Sequence, residues 1–265
     1  MNLILWQTLK GQRTGLLMVG LGLLAFAVLM PTTYTAFGAA IGDILDALPE
    51  GLRALIKAQG GFSTTSTGYI AIGYRHAVFI VITMASVIAM SSGALAREIE
   101  RGTMFLLLAR PLQRYYIVIA KLGALLVTVA ILLSMSFFGT WIGVVGNGVE
   151  GVDFRALAFA LLNAFMLILA VGGYSFFISA LSSEGGRAIS VAAGLTVIFF
   201  FVDFLATLWG AVSFLGPISV FHYYDPQAVV EASSIPALHL GVLGAVALVG
   251  FVAAGIAFQR RDLVR

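Results

Sequence analysis

Charged residues are scarce in this sequence. Only 10% of its 265 residues are Asp, Glu, Lys or Arg, whereas 60% are hydrophobic and the mean hydropathy is +1.04. Soluble domains carry about 25% charged residues, because a surface that faces water needs them. A chain with so few charges cannot cover itself with polar surface, so lipid must be part of its solvent. No polar stretch is long enough to form a second domain, and we predict one membrane domain over residues 1–265.

Cysteine and the common catalytic motifs are also missing. The absence of cysteine excludes disulfide bonds and thiol chemistry. The sequence contains no phosphate loop of the GxxxxGKS or GxxxxGKT kind, no HExxH motif and no Cys/His cluster with metal-ligand spacing. The three histidines, His76, His222 and His239, are scattered near one predicted membrane face, where an interfacial role is more common than metal binding. We therefore expect no catalytic residue, no metal site and no cofactor within this chain.

Long apolar runs without Asp, Glu, Lys or Arg are what the sequence has in abundance. A bilayer core about 30 Å thick is crossed by a helix of about 20 apolar residues. Asp203 interrupts one very long run, which we interpret as a span followed by a re-entrant or interfacial hairpin within residues 210–236. The predicted spans are residues 15–34, 77–96, 117–144, 156–181, 188–209 and 237–258. The sequence thus predicts an all-α polytopic membrane protein with six transmembrane helices.

The basic residues fall mainly on one side of such a bundle. With the N-terminus inside, the inner segments hold 11 of the 15 Lys and Arg residues, whereas the acidic residues lean towards the outer segments. Positive residues are retained on the cytoplasmic side during membrane insertion. We therefore predict that both termini are cytoplasmic. The pI near 9.3 reflects this inner charge and gives no reason to expect nucleic-acid binding.

Two segments outside the spans have an amphipathic pattern. Residues 1–13 place Trp6 and several leucines beside polar and basic residues, which predicts an N-terminal interfacial helix with the indole at headgroup depth. The alternative is a frayed cytoplasmic lead-in to the first span. Residues 41–56 predict a pair of amphipathic helices on either side of Pro49, and a structural cap is favoured there over a substrate gate.

A third segment, residues 97–115, is dense in charge and then abruptly apolar. Charged residues on a short helix beside an apolar stretch suit a surface that docks a cytosolic partner while anchored in the membrane. The alternative is that its arginines act only as topology signals. Pro111 is expected to end or bend the helix, because proline lacks an N–H and clashes with the preceding turn.

Asp203 is the one carboxylate well inside an apolar run, FFFVDFLATLWG. A charge inside the membrane is costly, and such residues usually face a cavity or a partner. Asp203 is therefore our candidate for the substrate path. No basic residue lies within helical reach of it, so two alternatives stay open: a protonated carboxyl, or a position near the outer headgroups at the end of a short span.

The block EIERGTMFLLLARPLQRYYIVIAK, residues 98–121, is more specific. It resembles the block after the second span of type-2 ABC transporter permeases: an acidic pair, Gly-Thr, an apolar run ending near Arg-Pro, a further Arg and a Lys entering the third span. The matching residues are Glu98, Glu100, Gly102, Thr103, Arg110, Pro111, Arg114 and Lys121. The stretches VFHYYDP (220–226) and FQRRDLVR (258–265) also resemble family segments, although Val220 stands where the family pattern has proline after serine.

The resemblance implies a permease subunit of an ATP-driven exporter of hydrophobic or amphipathic compounds in a prokaryotic cell membrane. A second permease copy and two ATP-binding subunits would complete the complex, and ATP and Mg would bind to the ATP-binding subunits. Residues 98–109 would form a cytoplasmic coupling helix that docks in a groove of the ATPase. The residues assigned to it are Glu98, Glu100 and Arg101 for polar contacts and Gly102, Thr103 and Phe105 for helix placement.

Two other function classes fit the composition less well. A self-sufficient secondary transporter or channel needs charges in the membrane to couple or select ions, and only Asp203 qualifies. Such a protein also usually carries an internal repeat, and residues 1–144 show no convincing similarity to residues 156–265. A membrane-embedded enzyme needs a polar catalytic cluster at one membrane face, which nothing marks. The transported substrate does not follow from the sequence.

Overall fold

Helices account for nearly all of the chain that the computed structural model describes, residues 2–52, 65–104 and 114–261, and these residues include no β-strand. The α-helices, in chain order, are α1 (Asn2–Ala47), α2 (Ser66–Arg75), α3 (Ala77–Glu100), α4 (Arg114–Gly146), α5 (Phe154–Leu181), α6 (Gly185–Leu208), α7 (Pro226–Ala232) and α8 (Ala237–Arg260). Two 3-10 helices, Gly210–Ile218 and Val220–Tyr223, lie between α6 and α7.

Six of the helices in the described ranges are long and apolar enough to cross a membrane. Their apolar stretches are Leu5–Phe37, Ala77–Glu100, Arg114–Gly146, Phe154–Leu181, Gly185–Leu208 and Ala237–Arg260. Each of the six predicted spans overlaps one of these stretches. The prediction of an all-α protein with six transmembrane helices is therefore confirmed.

The first helix is longer than the sequence led us to expect. The predicted N-terminal interfacial helix is not a separate element, because α1 runs without a break from Asn2 to Ala47. Residues 2–13 contain no proline, and a single glycine there lowers helix stability by only about 1 kcal/mol relative to alanine. The first of the two predicted amphipathic helices is likewise the end of α1. The second falls mostly on residues 53–64, outside the described residues.

The segments at the end of the bundle opposite the start of α1 fold back onto the membrane helices. Helix α2 was not predicted from the sequence. It is capped by Thr65, whose hydroxyl accepts a hydrogen bond from the backbone N–H of Gly68 at 3.1 Å. Residues 210–236 form the two 3-10 helices and α7, and the hydroxyl of Ser219 donates to the carbonyl of Phe199 on α6 at 2.7 Å. Tyr224, between the second 3-10 helix and α7, is buried.

Close contacts at glycines hold two pairs of helices together. Helix α1 packs parallel to α4, where a Cβ atom at Gly143 would lie 2.8 Å from the carbonyl oxygen of Val28. Helix α5 packs parallel to α8, where a Cβ atom at Gly173 would lie 2.7 Å from the carbonyl oxygen of Ala247. Helices in lipid associate through van der Waals packing, which small residues make closer. Helix α5 lies at the centre of the bundle: 67% of its most apolar 18-residue stretch is buried, whereas the corresponding fraction is 22% for α1, α6 and α8.

Polar contacts join the ends of several helices at one end of the bundle. Arg261 donates to the carbonyls of Ala180 and Ser182 at 2.8 Å each, which ties the end of α8 to the end of α5. Arg114, at the start of α4, donates to the carbonyl of Arg261 at 2.6 Å. We call this the basic end; it comprises the starts of α1, α4 and α6 and the ends of α3, α5 and α8. The far end holds α2, α7 and the 3-10 helices.

Candidate functional site

The predicted coupling segment begins inside a membrane helix. Glu98 and Glu100 belong to the last turn of α3, which ends at Glu100. Gly102 follows the helix cap with φ of +72°, a left-handed conformation that glycine adopts without the penalty a Cβ atom would bring. Thr103 and Met104 are helical again. Phe105, Arg110 and Pro111 lie outside the described residues, so the structure shows only the start of the predicted coupling helix.

Glu98 joins the end of α3 to the start of α4. Its carboxylate oxygen lies 2.8 Å from the Nζ atom of Lys121, a largely buried lysine with 9% of its surface exposed. The hydroxyl of Thr103 donates both to this carboxylate and, at 3.2 Å, to the backbone carbonyl of Glu98. The first acidic residue and the final lysine of the recognised block are therefore an ion pair. A lysine in an apolar helix needs such a partner, because a lone buried charge is costly.

Glu100 joins the same end of α3 to α6. Its Oε2 atom accepts a hydrogen bond at 2.9 Å from the backbone N–H of Gly185, the first residue of α6. The positive end of the helix dipole stabilises a carboxylate in this position. Glu184, the residue that caps α6, makes no side-chain capping bond, so Glu100 supplies one from another helix. The short turn between α5 and α6 is thereby attached to the coupling segment.

A cavity opens beside these contacts, between α1, α3 and α4 at the basic end. Its volume is about 570 Å³, and ligand pockets typically span about 300–1,000 Å³. Along α3 its wall runs from Arg101 to Ser86, about 22 Å at 1.5 Å per residue. The four charged residues, Arg97, Glu98, Arg101 and Lys121, lie at the basic end of the cavity. The opposite end is mainly apolar, with Val19 and Leu132 beside Ser86.

Asp203 lies far along α6 from this cavity and does not line it. Its carboxylate is 3.6 Å from the Nδ1 atom of His222, in the second 3-10 helix, and its side chain is 14% exposed. An ion pair between Arg75 and Asp225, also 3.6 Å, lies at the same end of the bundle. His222 could not be predicted as a partner of Asp203, because it stands 19 residues away and reaches Asp203 only through the tertiary fold. Within the described ranges, no group of His, Asp and Glu residues could hold a metal ion.

Two buried tyrosines strengthen the far end. The hydroxyl of Tyr224 donates to the carbonyl of Tyr74 at 2.7 Å, and the hydroxyl of Tyr74 lies 3.0 Å from that of Thr140 on α4. Burial raises the pKa of Tyr74 to about 12, although the hydrogen bond to Thr140 partly lowers it. Burial also raises the pKa of Tyr224. Both phenols therefore stay protonated at neutral pH and join α2, α4 and the segment before α7 through neutral hydrogen bonds.

Comparison with known protein families identifies the family of this chain. The family described as ABC-2 family transporter protein matches residues 4–263, almost the whole chain. The chain belongs to the ABC-2 transporter family. No curated protein and no solved structure matches it. The resemblance that the block at residues 98–121 indicated is therefore confirmed for the chain as a whole.

Membership of the ABC-2 family makes the positions of the predicted site residues at the two ends of the molecule relevant to function. ABC-2 permeases are generally non-enzymatic membrane subunits that work with an ATP-binding subunit. In this ABC-2 permease, the structure groups Glu98 and Thr103 with Lys121, joins Glu100 to the start of α6 and puts Arg101 at the cavity. Asp203 is at the far end. Sequence reasoning missed Arg97 and the cavity itself, since neither leaves a motif.

Proposed function

We propose that this chain is the membrane-spanning permease of an ATP-driven exporter of hydrophobic or amphipathic compounds, energised by separate subunits that bind ATP and Mg. The family match over residues 4–263 carries the proposal. Two permease chains and two ATP-binding subunits form the complex, in the cell membrane of a prokaryote. The basic end faces the cytoplasm, since positive residues are retained on that side. Both chain termini then lie inside.

The contacts of Glu98 and Glu100 support a route for force from the ATPase to the membrane helices. The segment that starts at residue 98 docks on the ATP-binding subunit, with Arg101, Gly102, Thr103 and Phe105 in or beside the contact. Displacement of this segment pulls on α4 through the pair with Lys121 at 2.8 Å. It also pulls on α6 through the hydrogen bond to Gly185 at 2.9 Å. Three transmembrane helices therefore move with one docking event.

The partner subunit provides the direct test. Affinity purification of the tagged chain in mild detergent, followed by mass spectrometry, is expected to recover an ATP-binding subunit in stoichiometric amount. That subunit would carry the phosphate loop that this sequence lacks. A chain that purifies alone and moves solutes in liposomes without ATP would instead support the self-sufficient transporter, and would direct attention to Asp203.

The docking surface is tested by substitution. The double variant Glu98→Ala, Arg101→Ala is expected to weaken ATPase binding or to uncouple ATP hydrolysis from transport, while the permease still folds. Arg101→Ala alone is the cleaner probe, because Arg101 makes no ion pair within the described residues, whereas Glu98 is also needed by Lys121. Arg260→Ala, at the same end on α8, is the matched control. Normal binding and coupling in the double variant would show that the docking surface lies elsewhere.

A further inference from the structure

The cavity between α1, α3 and α4 has an unequal charge balance. Three cationic side chains, Arg97, Arg101 and Lys121, line it together with one carboxylate, that of Glu98. Lys121 is neutralised by Glu98, 2.8 Å away. Neither arginine forms an ion pair with a carboxylate in the part of the chain that the structure describes. The cavity lining therefore carries two more positive than negative side chains.

Arg97 is directed along the cavity wall by the glycine one turn before it. A Cβ atom at Gly93 would lie 2.9 Å from the Cδ atom of Arg97 and 3.0 Å from its Nε atom. The side chain of Arg97 therefore lies back over Gly93, which also lines the cavity, towards the middle of α3. The absence of a side chain at Gly93 leaves the space that the guanidinium occupies.

Beyond the arginines and the Glu98–Lys121 pair the described lining of the cavity carries no further charge. Ser91 and Thr128 line the middle of the cavity, and neither hydroxyl has a hydrogen-bond partner among the described residues. A buried hydroxyl without a partner costs free energy, and a change of χ1 rotamer can turn it towards a ligand. Val19 and Leu132 line the opposite end, beside Ser86. A charged end followed by an uncharged wall of hydroxyl and aliphatic side chains suits an amphiphile with an anionic head.

We propose that this cavity is a binding site for an anionic amphiphile. Its phosphate-type head contacts Arg97 and Arg101, and its apolar chain lies along α1 and α4. Guanidinium groups bind phosphate in bidentate geometry, and basic pockets between transmembrane helices on the cytoplasmic side bind anionic headgroups. The amphiphile is either a lipid that stays bound or the exported compound itself. The second source rests on the proposed function; the binding does not.

Native mass spectrometry of the delipidated full chain tests the binding. The protein is mixed with equimolar phosphatidic acid and diacylglycerol, which share their acyl chains and differ in the phosphate. Wild-type protein is expected to retain one phosphatidic acid per chain in clear preference to diacylglycerol. Arg97→Gln with Arg101→Gln is expected to reduce this retention at least about tenfold, because two charge-assisted hydrogen-bonding groups are removed. Arg260→Gln, at the same end but outside the cavity, should retain phosphatidic acid like the wild type.

A second variant, Gly93→Leu, provides an independent test in case the double glutamine variant misfolds. Gly93→Leu fills the cavity and displaces the flexible Arg97 side chain while keeping both charges, and it is expected to reduce retention as well. Equal retention of the two lipids by wild-type protein, or unchanged retention in both cavity variants, would overturn the proposal. Because the permease is measured alone, failure of an ATP-binding subunit to co-purify would overturn the proposed function without affecting this result.

The source of the amphiphile is decided in proteoliposomes of phosphatidylcholine that contain the permease and its ATP-binding subunit. Phosphatidic acid with a fluorescent acyl chain is added, and its exposure to a membrane-impermeant quencher is followed. ATP-dependent movement between leaflets that is lost in Arg97→Gln, which leaves the proposed docking residue Arg101 in place, identifies the site as an entry point for cargo. Retained binding without movement identifies a resident lipid. Both outcomes support the site and assign its occupant.

Discussion

At the residue scale, the contacts of the last turn of α3 show how charged groups are tolerated beside a membrane. Lys121 is 9% exposed, and its amino group is satisfied by Glu98. Glu98 in turn accepts from Thr103, so the carboxylate bridges two helices and the segment beyond Gly102. Breaking a buried ion pair by removing one member leaves the other charge uncompensated, which costs more than the pair itself contributes.

The variant Lys121→Met tests this bridge. It leaves the Glu98 carboxylate without its cation, and we expect the folded state to lose about 2 kcal/mol, since a poorly solvated polar group without a partner costs about 1–3 kcal/mol. The double variant Glu98→Gln, Lys121→Met removes both charges and should recover part of the loss. Thermal unfolding in detergent, followed by tryptophan fluorescence, gives the comparison. A single variant as stable as the wild type would show that the pair is dispensable.

At the scale of elements, the bundle is organised around parallel contacts between helices that are distant in the chain. Helix α5 approaches α8 so closely at Gly173 and Gly250 that neither position has room for a methyl group. The glycines in the sequence do not all share this role. Gly241, on the same helix as Gly250, has no atom within 4 Å of the place where a Cβ would stand.

Alanine substitutions at Gly250 and Gly241 should therefore affect the stability of the protein differently. A Cβ atom at Gly250 would lie 2.6 Å from the carbonyl oxygen of Gly173, which is backbone and cannot rotate away. We expect Gly250→Ala to destabilise the protein by about 1–3 kcal/mol through overpacking. Gly241→Ala should be neutral or stabilising by up to about 1 kcal/mol, because alanine is the better helix former. Melting temperatures of the two variants in one detergent make the test, and equal values would contradict the contact.

At the scale of the whole molecule, burial is distributed unevenly among the spans. Helix α5 is enclosed by other helices. In contrast, only 22% of the most apolar 18-residue stretch of α1, α6 and α8 is buried, so most of their apolar surface is uncovered. Lipid covers such surface without penalty. A second copy of the chain is also expected on part of it, as the proposed assembly of two permeases requires. Closed two-fold pairs are the commonest form of homo-oligomer.

The mass of the purified complex tests this assembly. Native mass spectrometry in mild detergent is expected to show two permease chains of 28.0 kDa with two ATP-binding subunits. Stepwise dissociation should then release the ATP-binding subunits before the permease pair separates, because only the latter is buried in the membrane. A particle with one chain of each kind would contradict the two-fold arrangement, although it would leave the role of the chain as a permease unaffected.

The number of spans and the family could both be predicted from the order of residues alone. Both depend on local quantities: the length of an apolar run against the thickness of a bilayer, and the order of residues within 98–121. The continuity of α1 shows the limit of this reasoning. An amphipathic pattern in residues 1–13 predicts which face is apolar, but whether a helix bends away from the next span depends on contacts that no pattern within it records.

Which charged groups contact each other depends on the three-dimensional packing of the helices. The pairing of Glu98 with Lys121, the bond from Glu100 to Gly185 and the approach of His222 to Asp203 join residues that are 19 to 85 positions apart. The cavity is likewise a property of three helices together. Such contacts minimise the cost of placing charge beside lipid, and that cost depends on the distance between groups in space, which the order of residues along the chain does not specify.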